Sequence, residues 1–125
     1  YRKLPFDIQK DMQPVTQLTS SYLVLTAGPA LSATTLPELI SLAKAKPGAL
    51  NYASTGVGSA PHLAMELLAW SSGAPLVHIP YKGDGQAVID LLAGQIQVMF
   101  TAPNVAMAHV KSGKLRLLAV TTKEE

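Results

Sequence analysis

The chain has 125 residues, of which 48% are hydrophobic and 14% charged, with a net charge of +2. That length sets a single domain, residues 1–125, as the expectation, and the apolar content excludes a disordered chain. No apolar run nears the ~18 residues of a membrane span, the basic residues are too scattered to suggest nucleic-acid binding, and the absence of cysteine excludes a disulfide scaffold, a thiol nucleophile and a thiolate zinc site.

Tyr1–Gln13 shows no periodicity and no signal-peptide pattern, and reads as an entry segment. Pro14–Thr19 and Tyr22–Thr26 are short β-branched or apolar runs, hence predicted strands. Thr35-Leu36-Pro37-Glu38 starts a helix: Thr35 can cap, Glu38 can reach back to the cap, and Pro37 costs little in a first turn. Pro47-Gly48 ends that helix, and Leu50–Ser54 is a strand. Ser59 opens the next helix, with Leu63, Ala64, Leu67, Leu68 and Ser71 as its expected buried stripe and Gly73 as a left-handed cap. Pro75–Ile79 is a strand. A helix burying Ala87, Val88, Leu91 and Leu92 follows and ends at Gly94. Ile96–Phe100 is a strand, Pro103 to about Lys111 a helix, and Leu115–Thr121 the last strand.

Strands alternating with helices imply right-handed crossovers. The expected fold is therefore α/β, a three-layer αβα arrangement around a largely parallel sheet, and the continuous apolar strands fit a sheet covered on both faces.

In such sheets ligands bind beyond the carboxyl ends of the strands. Three loops fall there. In Ser54-Thr55-Gly56-Val57-Gly58-Ser59 two glycines let the backbone approach a ligand, hydroxyls flank them, and a helix N-terminus follows, which favours an anion. An ordinary Gly-rich turn is the competing reading. Pro61 stands where a dinucleotide fingerprint needs its third glycine, and no Gly-Lys-Ser/Thr makes a P-loop. The second loop offers Tyr81, Lys82 and Gly83, and the third offers Thr101 and Asn104. Together they sketch a polar, hydroxyl-lined anion site, with no cofactor and no metal expected.

Catalysis finds little support. Ser54 or Ser59, His62, and Asp84 or Asp90 could supply a triad, but no Gly-x-Ser-x-Gly elbow places a nucleophile. His62 and Glu66 at i, i+4 could share a metal or form a plain surface pair. His78 and His109 read as hydrogen-bonded structural histidines, and Met65, Met99 and Met107 as core filling. Trp70 lies at the margin of its helix's apolar face.

Several stretches, in order along the chain, carry a resemblance. They are Lys10-Asp11-Met12-Gln13-Pro14-Val15, Ala43-Lys44-Ala45-Lys46-Pro47-Gly48, Leu50 to Ser59, His78-Ile79-Pro80-Tyr81-Lys82-Gly83, Asp90 to Phe100, and Gly113-Lys114-Leu115-Arg116. The chain resembles the second lobe of the Bug (TctC-like) solute-binding proteins of tripartite tricarboxylate transporters, which are similar to type II periplasmic binding proteins. The resemblance implies a periplasmic, non-enzymatic lobe that grips a small carboxylate together with a first lobe and presents it to membrane transporter subunits. It implies ligand contacts from Ser54, Thr55, Gly56, Gly58, Ser59, Tyr81, Lys82, Gly83 and Thr101. Many members have Asp where this chain has Thr101. Pro14–Thr19 and Leu115–Thr121 become the expected hinge strands, near neighbours on one side. A homodimer of the isolated lobe is a further expectation, swapped through Tyr1–Thr26 or the last strand. The alternatives are an effector-sensing domain of a regulator and a small anion-dependent enzyme.

Overall fold

A computed structural model describes residues 5–122. Its strands are β1 (Val24–Ala27), β2 (Asn51–Ser54), β3 (Val77–Pro80), β4 (Val98–Thr101) and β5 (Arg116–Val120). Its helices are α1 (Ile8–Asp11), α2 (Leu36–Ala45), α3 (Ala60–Ser72), α4 (Asp84–Leu92) and α5 (Pro103–Lys111). No helix among the described residues is long and apolar enough to cross a membrane.

The helix starts follow local chemistry. Thr35 caps α2 by accepting from the Glu38 amide, and the Glu38 carboxylate reaches back one residue beyond the cap to the amide and hydroxyl of Thr34, at 2.7 and 2.9 Å. Those bonds hold the Glu38 carboxyl below the usual carboxylate range. Gly73 ends α3 in the left-handed conformation, φ 65°, as the sequence predicts.

The strands form one five-stranded sheet in the order β3-β2-β4-β1-β5. β2 runs parallel to both β3 and β4, while β1 runs antiparallel to both β4 and β5. The sheet is therefore mixed, and the expectation of a largely parallel sheet is corrected at β1. The helix–strand alternation that predicts parallel neighbours begins only after β1. Helices cover both faces. Leu25, Tyr52, Val98 and Phe100 face a core shared with Leu39 and Ala43 of α2 and Met65 of α3. Ala53 and Met99 face the other way, against Ala87, Val88 and Leu91 of α4 and Val105 of α5. This is the period-2 alternation of a doubly covered sheet.

Two further expectations are corrected. Pro14–Thr19 forms no strand: Val15 and Leu18 are 96% and 88% exposed. Its β-branched residues have strand propensity but find no neighbour to pair with, and propensity alone does not make a strand. The segment beside the last strand is β1, with Leu25, not Val15, opposite Ala119. The neighbouring entry and exit strands thus exist, but the entry strand is Val24–Ala27, overlapping the predicted Tyr22–Thr26 rather than Pro14–Thr19. The α3 stripe is also displaced. Met65 is buried and Ala64 and Leu68 pack on the core, while Leu63 and Leu67 face outward with Trp70. Apolar residues occupy both sides of this helix, so periodicity could not orient it.

Gly28, just after β1, donates its amide to the Gln97 carbonyl. A Cβ there would lie 2.4 Å from the Leu91 carbonyl oxygen, a backbone atom that cannot swing aside. Gly28→Ala is expected to destabilise the fold by about 1–3 kcal/mol through overpacking. Urea denaturation checks this, and an unchanged midpoint would contradict it.

Candidate functional site

Ser54 pairs with Pro80 at the ends of β2 and β3, and β4 ends beside them at Thr101. The three carboxyl ends share one edge, where α3, α4 and α5 begin. The N-caps of these helices are Ser59, Gly83 and Ala102, and none makes a side-chain cap hydrogen bond, unlike Thr35 of α2. Three helix N-termini therefore converge with partial positive charge on the same edge. The entry and exit of the sheet lie there too, since Val24 pairs with both Thr101 and Val120.

The residues 54–59 fold into a loop that is bonded within itself. Gly56 and Gly58 take φ values of 128° and 80°, which favour glycine. The Gly56 amide donates to Ser54 Oγ at 3.1 Å, the Gly58 amide to His62 Nδ1 at 3.0 Å, and the Ser59 amide to the Gly56 carbonyl at 3.2 Å. Ser59 Oγ also donates to that carbonyl, at 2.7 Å, instead of capping α3. Among the described residues the amides of Val57 and Ala60 carry no such bond. Thr55 is half-buried at the loop's start.

Ser54 is fully buried, and its Oγ lies 2.6 Å from His78 Nε2. The sequence offers His62 as the histidine of a triad with Ser54 or Ser59; the structure instead brings His78 to Ser54. Its hydroxyl is nonetheless committed to the loop: it accepts from the Gly56 amide and its proton serves the Gly56 carbonyl or His78 Nε2. With no surface exposed, it is not placed to attack a substrate. The His62–Glu66 metal alternative also fails geometrically. His62 turns to Gly58, Glu66 accepts from the Tyr52 hydroxyl at 2.5 Å, and no group of three metal-ligating side chains occurs among the described residues. His78 is hydrogen-bonded, as expected of a structural histidine.

The second loop joins the first directly. The Tyr81 amide donates to the Ser54 carbonyl at 2.9 Å, and the Tyr81 carbonyl lies 3.9 Å from where a Gly56 Cβ would stand. The Tyr81 hydroxyl, however, donates to Asp90 of α4 at 2.7 Å. Burial and that carboxylate push its pKa up to about 12. Gly83 is the N-cap of α4 and Lys82 is exposed beside it. Thr101 closes the group: it is buried, and its Oγ1 donates to the Asp84 carboxylate at 3.2 Å, joining the third loop to the second. The nine expected residues thus gather on one edge. The side chains of Ser54, Ser59, Tyr81 and Thr101 brace its loops, while Thr55 and Lys82 make no such bond. Concavities along α2 and beside α1 are lined by none of these residues.

Tyr52, His62, His78 and Glu66 escaped the sequence reading as a group. Their rings are near parallel, with His62 and His78 centroids 4.2 Å apart and Tyr52 and His78 4.9 Å apart. The usable signal was the spacing of His62, four residues after Gly58. Burial, then the neighbouring His62, holds His78 below its ordinary range, with Glu66 opposing. Unfolded His78 protonates as pH falls through ~6.5, and folded His78 only at lower pH. Stability is then retained above that pH and lost below it, down to the depressed value. Thermal unfolding should show Tm falling between about pH 7 and pH 5, and falling less in His78→Gln. An equal fall in both proteins would contradict the assignment.

Comparison with known proteins follows the same lines. The family model described as "Tripartite tricarboxylate transporter family receptor" matches residues 1–125. BugT of Bordetella pertussis is 36% identical over 121 residues, covering 97% of this chain and 37% of that protein. A solved R. palustris protein with adipate is 30% identical at a TM-score of 0.88, over 100% of this chain and 42% of that one. MatC from Rhodopseudomonas palustris, with bound malate, is 26% identical at a TM-score of 0.86, again over 100% of this chain and 42% of that one. The chain spans little more than a third of the length of the curated relatives it matches.

Proposed function

Because the chain belongs to the tripartite tricarboxylate transporter receptor family, we propose that it is one lobe of a two-lobe periplasmic solute-binding protein that captures a small carboxylate for a membrane transporter. One observation carries the reading: the loops after β2, β3 and β4 and the N-termini of α3, α4 and α5 meet on one sheet edge. A carboxylate there accepts hydrogen bonds from the Val57 and Ala60 amides and from the Thr55 hydroxyl, with Lys82 adding positive charge. Charge-assisted bonds of this kind are worth roughly 1.5–3 kcal/mol each. The other lobe, entered and left through the adjacent ends of β1 and β5, supplies the remaining contacts. Adipate and malate in two similar structures support a dicarboxylate as ligand.

A thermal-shift screen of the two-lobe protein against mono-, di- and tricarboxylates, with adipate and malate included, tests the proposal. A Tm rise with at least one carboxylate is expected, and no rise with any would overturn it. This chain alone should bind such ligands weakly and self-associate. The apolar side chains of Ile8, Met12, Val15 and Leu18 are exposed, and β3 and β5 leave open sheet edges. Sedimentation that stays monomeric at every concentration would contradict the self-association.

A further inference from the structure

We infer that His62 and His78 are positioning residues of the carboxylate loop, two stacked imidazoles that hold it at Gly58 and Ser54 without a negative charge beside the α3 N-terminus; the inference rests on the binding role proposed above.

The loop needs holding. Its shape depends on two glycines with positive φ, and a glycine-rich segment loses more conformational freedom on ordering than any other. The histidines fix it at separate points. His62 Nδ1 accepts from the Gly58 amide at 3.0 Å, so that nitrogen carries no proton. His78 Nε2 meets Ser54 Oγ at 2.6 Å, and the same oxygen accepts from the Gly56 amide. The rings lie 4.2 Å apart at 25°, and the fully buried Tyr52 ring lies 4.9 Å from His78. Each ring limits the tilt of the next.

The choice of histidine has a consequence for charge. His62 is the third residue of α3, the position from which glutamate reaches back to the cap in a capping box. A carboxylate there would offset the partial positive charge that favours an anion. His62 reaches back one residue further, to the Gly58 amide before the cap, with a neutral acceptor. The next carboxylate along the helix, Glu66, is held by the Tyr52 hydroxyl.

Amide exchange followed by NMR in the intact protein tests the clamp. Asparagine places its oxygen where Nδ1 stands, and phenylalanine keeps the ring without the acceptor. The Gly58 amide should stay protected in His62→Asn and exchange tenfold or more faster in His62→Phe, a difference on the order of one local opening equilibrium. Equal protection in the two variants would overturn the role of His62. Unaltered Gly56 exchange in His78→Leu would likewise remove His78. Affinity, measured with the carboxylate that raises Tm most in the screen, tests the charge. His62→Asn should stay within about threefold of the unaltered protein, and His62→Glu should lose tenfold or more. Equal affinity in the two would overturn the neutral-acceptor argument. If the unaltered protein binds no carboxylate, the functional proposal and the charge argument both fall, while the exchange data still decide the clamp.

Discussion

Gly58→Val is expected to weaken carboxylate binding by the two-lobe protein tenfold or more, about 1.4 kcal/mol or greater. Gly58 sits at φ 80°, where a β-branched side chain is a genuine outlier, so valine drives the loop out of its present path. The Gly58 amide then leaves His62 Nδ1, and the loop that carries the Val57 and Ala60 amides is displaced. Gly48→Val is the matched control. Gly48 has φ 77° in the turn after α2, with nothing within 4 Å of its Cβ direction and no part in the three loops. Calorimetry should show unchanged affinity for Gly48→Val and a lost or much weakened isotherm for Gly58→Val. Equal affinities would remove the 54–59 loop from the site.

The largest effect on stability is expected at Tyr52. Its ring is fully buried in the core between β2 and the helices α2 and α3, and its hydroxyl reaches Glu66 at 2.5 Å. Burial and the Glu66 carboxylate hold its pKa well above the usual tyrosine range, so it remains a neutral donor. Removing so large a buried ring costs about 3–5 kcal/mol, because the cavity does not close fully. In a domain of this size that lowers Tm by on the order of 10 °C or more. Tyr52→Phe keeps the ring and loses only the hydrogen bond, about 1 kcal/mol. A Tyr52→Ala protein as stable as Tyr52→Phe would show that the ring does not fill the core.

The sequence made most of the helices legible because their ends carry strong local chemistry: Thr35 with Glu38, Pro61, Gly73 and Pro103. The four strands after Leu36 follow from short apolar runs between those signals. The position of β1 was not legible. Its antiparallel place between β4 and β5 is set by contacts with residues some 75 to 95 positions away, such as Leu25 with Phe100 and Ala119. The same limit misplaced Pro14–Thr19, since pairing requires a partner that local propensity does not supply. The loops of the site were legible because strand ends and glycines mark them. The direction of the side chains was not. Ser54, Tyr81 and Thr101 look like ligand contacts by residue type, yet their hydroxyls are engaged with Gly56 and His78, with Asp90, and with Asp84. Those partners lie on other elements, and only the fold brings them within reach.

The central claim is that a carboxylate binds at the carboxyl ends of β2, β3 and β4. The most direct measurement is amide chemical-shift mapping of the two-lobe protein titrated with the carboxylate that stabilises it most. The account predicts that, within this lobe, the largest shifts fall on Thr55 to Ala60, on Tyr81 to Gly83 and on Thr101 to Asn104. Shifts concentrated instead on α2 and the segment before it, at Ser32, Thr34, Glu38 and Ser41, with the strand-end loops unmoved, would contradict it.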